Sequence, residues 1–107
     1  MNQILDLQQK SNLLSSMICT LCKPLMLNKE FSNHVRQLLS SESDLRLTID
    51  LIMEVKTEKE MREKITLAIQ ESEIILYTLM QMDKKKINNI SPIIEQTNEI
   101  IGILNTL

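Results

Sequence analysis

Residues 57–82, TEKEMREKITLAIQESEIILYTLMQM, decide how this chain folds. Thr57 and Glu60 stand at the T-x-x-E spacing in which a threonine hydroxyl caps one free amide of a helix start and the glutamate reaches back to another. Beyond them Met61, Ile65, Ala68, Ser72, Ile75, Leu79 and Met82 recur at alternating steps of four and three, which places them on one helical face. The small Ala68 and Ser72 let a neighbouring helix come close. The run Lys84-Lys85-Lys86 then suits the negative end of the helix dipole. The segment reads as a helix over about 58–82 with one face to bury, so it needs partners.

Both flanks supply them. Upstream, Phe31, Val35, Leu38, Leu45, Ile49 and Ile52 hold one register across the polar segment 40–44, with Glu42 in the missing step of the stripe. That register favours one helix over about 29–55; the alternative is a break at 40–44 with Ser43 capping a second helix. Further upstream, Ile4, Leu7, Ser11, Leu14, Ile18 and Leu21 mark a helix over about 3–22, stopped by Pro24. Downstream, Ser91-Pro92 gives a hydroxyl cap followed by proline at the first helical position, with Ile90 placed as a hydrophobic staple, and opens a helix over about 92–106. Four helices with short connections predict an all-α, antiparallel up-down-up-down four-helix bundle within a single domain, 1–107.

The last helix reads as more apolar than one such role requires. Ile90, Ile94, Ile101 and Leu104 give one stripe, and Ile93, Ile100, Ile103 and Leu107 give a second beside it. A helix with two apolar stripes is buried on two sides. The second stripe is therefore expected to meet another subunit of a homo-oligomer.

Composition narrows the function classes. One glycine excludes a phosphate-cradling loop of the usual kind, and none of G-x-x-x-x-G-K-[ST], G-x-S-x-G or H-E-x-x-H occurs. The Cys19-x-x-Cys22 pair lies in the last turn before Pro24, where the helix dipole disfavours a thiolate, and His34 is the only further soft ligand for zinc. Two ordinary reduced cysteines are expected. A bundle-type di-metal site needs Glu-x-x-His pairs, and the chain has none; Glu30 and His34 make an ordinary (i, i+4) pair. These absences predict no catalysis, no cofactor, no metal and no small-molecule substrate. No apolar run approaches the roughly 18 residues of a bilayer span, and the first residues lack a basic lead and a long apolar block, so a soluble protein at a cytoplasmic address, without a membrane partner, is expected.

The net charge is −2, and Phe31 and Tyr77 are the only aromatic residues, so neither a basic domain nor a stacking platform argues for nucleic acid. Placement does. In an up-down bundle the first and third connections share one end, which brings Lys23 and Lys29 together with Lys84, Lys85 and Lys86. Lysines at helix ends also serve dipoles and solubility, but five at one end form a crown able to face phosphates.

The segment 68–77, AIQESEIILY, followed by a basic turn, Ile90-Ser91-Pro92 and then 99–105, EIIGILN, resembles the last two helices of the four-helix-bundle proteins encoded in 23S ribosomal RNA intervening sequences. The accessory variability proteins of diversity-generating retroelements share that ending. The resemblance covers about 40 residues, and the N-terminal half agrees in helix order and length. It implies a homopentameric ring that binds RNA or DNA and, in retroelements, a reverse transcriptase, as a non-catalytic accessory. Two departures stand beside it: Glu54-Val55-Lys56-Thr57 replaces the Ser-x-x-Asn-Ile-Ala-Glu-Gly-like segment of the intervening-sequence proteins, and the chain is acidic where accessory variability proteins are basic. The competing expectation is a protein-directed helical adaptor or small chaperone that ignores nucleic acid.

Overall fold

The computed structural model describes residues 2–107, and they form four helices: α1 Asn2–Cys22, α2 Ser32–Ile52, α3 Glu58–Asp83 and α4 Ser91–Thr106, with a 3₁₀ turn Lys23–Leu25 after α1. Contacts run round a square, α1 against α2, α2 against α3, α3 against α4 and α4 back against α1. This is the antiparallel up-down-up-down bundle, 44 × 20 × 18 Å.

Each helix contributes its stripe to one core. Leu7, Leu14 and Ile18 of α1, Leu38, Leu45 and Ile49 of α2, Ile75 and Leu79 of α3, and Ile100 and Leu104 of α4 are all enclosed. Helix α2 runs unbroken through residues 40–44, and Glu42 is buried in the position the stripe left for it. Arg46 lies one turn along, its Nη2 3.6 Å from Glu42 Oε1, which keeps the enclosed carboxylate beside a positive charge.

Two ends of α2 fall inside the expected 29–55. At its start, Asn28 Oδ1 accepts from the Glu30 N–H (2.9 Å) and the Asn28 carbonyl from the Phe31 N–H (3.1 Å), so residues 28–31 are spent on a turn. At its finish the bonds shorten to three-residue spacing, Met53 N–H to Asp50 and Glu54 N–H to Leu51. The chain must leave the helix there because Thr57 is extended (φ −123°, ψ 154°) to cap α3, its Oγ1 accepting from the Glu60 N–H at 3.1 Å.

Helix α4 corrects the sequence reading most. Ile90 has helical dihedrals and its carbonyl accepts from the Ile93 and Ile94 N–H groups, so Ser91 is not the cap and its hydroxyl makes no capping bond. The two apolar stripes are also one. The buried face is Ile90, Ile93, Thr97, Ile100 and Leu104, a single broad arc wedged between α1 and α3. Thr97 sits at its centre with no exposure, because its Oγ1 donates to the Ile93 carbonyl four residues back (2.8 Å) and carries no unmet bond into the core. A reading that treats position 97 as polar splits the arc in two.

Candidate functional site

The first and third connections meet at one end of the bundle. Lys85, after α3, reaches across to the turn before α2, its Nζ 3.3 Å from Glu30 Oε1 and 5.7 Å from the centre of the Phe31 ring. Lys23 opens the 3₁₀ turn, Lys29 lies in the turn ahead of α2, and Lys84 and Lys86 flank Lys85; all five side chains are exposed. The two connections hold five lysines and one acid, Glu30, while Asp83 closes α3 beside them. Helix dipoles do not decide the sign here, because the negative ends of α1 and α3 are matched by the positive ends of α2 and α4. The lysine side chains set the field.

The backbone of the α3–α4 turn is tightly wound. Lys86 and Asn89 both take left-handed dihedrals, φ 59° and 69°, which asparagine tolerates and lysine does less readily. Between this turn and α1 lies an apolar groove of about 500 Å³, lined by Met17, Leu21, Leu25, Ile87, Pro92 and Ile93 with polar residues at its edge. In the connection before α2, Leu27 is 97% exposed and Met26 57%. Sequence reading passed over these two residues because a connection has no periodicity. The available signal was the apolar run Leu25-Met26-Leu27 after Pro24.

The residues expected at a subunit interface do not share a surface. Ile93 and Ile100 belong to the core, Ile103 is half-buried against it, and only Leu107, 40% exposed, faces outward. Exposed apolar side chains are instead spread over the helices, Leu5 and Leu13 on α1, Leu47 on α2 and, on α3, Ile74 and Tyr77, which line a groove of about 700 Å³ between α2 and α3. His34 lines that groove, half-buried, with its Nδ1 enclosed and unpartnered. Its expected partner Glu30 is held by Lys85 instead.

Cys22 is enclosed at the end of α1, and burial, with Cys19 and Glu42 adding to it, pushes its thiol up to about 11. Cys19 is exposed. A thiol that stays protonated at neutral pH is the reverse of a reactive dithiol centre. No group of three or more metal-ligating side chains occurs among the described residues, and no helix among them is long and apolar enough to cross a membrane. No protein-family model, curated protein or solved structure matches the chain, so what stands established is the fold, an all-α antiparallel four-helix bundle.

Proposed function

We propose that this chain is a non-catalytic, homo-oligomeric bundle subunit whose lysine-bearing end holds RNA or DNA, in the manner of the accessory proteins its last two helices resemble. In that setting a reverse transcriptase is the protein partner. The observation that supports this reading is the convergence of Lys23, Lys29, Lys84, Lys85 and Lys86 on one end of a molecule whose net charge is −2. Charge of one sign has been gathered against the overall balance, and phosphates are the ligand such a field selects. Binding of this kind is shape- and sequence-tolerant and falls steeply with salt, because each neutralised phosphate releases counterions.

Fluorescence anisotropy with a labelled single-stranded RNA and a DNA duplex tests it. Changing Lys84, Lys85 and Lys86 to glutamate is expected to weaken binding by about tenfold or more near 50 mM salt and to flatten the salt dependence, since each lost phosphate contact removes roughly one unit of slope. Unchanged affinity would dismiss the lysine end as the binding surface. The exposure of Ile74 and Tyr77, 44% and 66%, favours a second reading, a helical adaptor directed at another protein. That adaptor would be monomeric or aggregate on its own and bind neither RNA nor DNA at low salt.

A further inference from the structure

The groove between α1 and α4 has an apolar floor and a charged end. Leu21 and Ile93 are buried at its base, and Met17, Leu25 and Ile87 are half-buried along it. Its volume of about 500 Å³ falls within the range of small-ligand sites, roughly 300–1,000 Å³, and like them it is mostly apolar. Positive charge gathers where the connections meet. Pro24 and Ile87 line the groove, and the exposed Lys23 and Lys86 are their immediate chain neighbours, one on each connection. Neither lysine is in an ion pair among the described residues, whose pairs take Lys10, Arg46 and Lys85. Asn88 and Asn89 line the groove from the same turn as Lys86. The far end differs. Leu13, 52% exposed, precedes Met17 by one helical turn, so apolar surface continues along α1 away from the lysines. On α4, Glu95 is exposed three residues after Pro92, and Glu99 beyond it is held by Lys10 at 3.0 Å.

We propose that the α1–α4 groove binds a long-chain carboxylate, with a chain of about a dozen carbons on the apolar floor and the head group between Lys23 and Lys86. The gradient of charge sets the orientation. A carboxylate at the connections answers two like charges that have no counterion, whereas the reverse direction would set it against Glu95. A neutral chain fits the floor and leaves the lysines unanswered; a nucleic-acid phosphate meets the lysines and leaves the floor empty. The exposed Met26-Leu27 of a second copy is a poor occupant, because Lys23 and Lys29 flank it and would bring positive charge to a positive end. The site goes beyond the nucleic-acid reading and does not depend on it.

An amide NMR titration of the full chain with dodecanoate, kept below its micelle concentration, tests the site. Saturable shifts at Met17, Leu21, Ile87 and Ile93 with one ligand per chain are expected. Methyl dodecanoate, the same chain without the charge, should bind about fivefold more weakly at low salt, the scale of two exposed ion pairs. Lys23→Gln combined with Lys86→Asn should erase that preference and leave the ester's affinity unchanged; asparagine accepts the left-handed backbone at position 86, φ 59°. Thr20→Trp, which covers the groove from its exposed edge on α1, should abolish binding of both while circular dichroism and the melting temperature stay at wild-type values. Shifts that never saturate, or that spread over Leu5, Leu47 and Tyr77, indicate a detergent-like coating and overturn the site. Equal affinity for ester and carboxylate overturns the head-group assignment. The same shifts on concentrating the ligand-free chain would give the groove to a second copy, and tighter binding of an acidic amphipathic helical peptide would give it to another protein. Neither oligomer nor nucleic acid enters the measurement, so its failure leaves the proposed function standing.

Discussion

Glu71 is the residue that pulls hardest against its surroundings. It sits half-buried on α3 with Oε1 enclosed and unpartnered, and burial, reinforced by Asp44 and opposed by Thr48 and Lys64, pushes its carboxyl up. A carboxyl whose value rises on folding contributes stability in acid, and that contribution is lost as the pH climbs through the raised value. Glu71→Gln removes the cost of the enclosed charge. It should raise the urea midpoint at neutral pH slightly, with an unchanged denaturant slope, a modest gain because solvent screens a partly exposed group. The difference should vanish in acid, below the ordinary carboxylate range. An equal advantage at both ends of the titration would remove charge as its cause. Residues of this kind are poorly legible in a sequence. Ser11, Glu42 and Ser72 were readable as buried because apolar neighbours held the register on both sides. Thr97 obeys the same rule, with Ile90, Ile93, Ile100 and Leu104 holding the register around it, but sorting the isoleucines of α4 into two stripes hides that register.

Among the elements, α3 was the most legible, and its cap can be tested. Thr57 Oγ1 satisfies the Glu60 amide, so Thr57→Ala should cost about 1 kcal/mol in chemical denaturation and Thr57→Ser should restore most of it. No loss would mean that the helix start is held by packing alone. Helix α4 offers the opposite case. Gly102 lies in its interior at ordinary dihedrals, and a Cβ there would meet nothing within 4 Å. Gly102→Ala should therefore stabilise the bundle by ~0.8–1 kcal/mol with an unchanged denaturant slope. A loss instead would show that the site is crowded by something outside the single bundle. The existence and order of the helices followed from periodicity, as did the unbroken course of α2. Its ends did not, because the turn at Asn28 and the extended Thr57 are set by local bonds that apolar spacing does not record.

At the scale of the whole molecule, antiparallel order alone was enough to bring distant lysines to one end, and the Lys85–Glu30 bridge between the two connections reflects that order. The groove beside them was illegible, since it is a shape made by parts of α1, a turn and α4 that share no pattern. The placement of polar bonds has one more consequence. Ser72 and Thr97 donate to carbonyls of their own helices, at 2.8 Å each, so those bonds travel with the helix and are indifferent to sliding. Besides the Lys85–Glu30 bridge between connections, the helix-to-helix ties that sliding would break are Gln3 to Thr106 (3.2 Å), Lys10 to Glu99 (3.0 Å), Gln96 to the Lys10 carbonyl (3.1 Å) and Gln8 to Asp50 (3.1 Å). All four end on α1. The first helix is thus the ruler of the stack, with α4 and α2 indexed against its graduations, and lengthwise alignment is written on its wet surface while the hydroxyls at the dry centre stay silent about it.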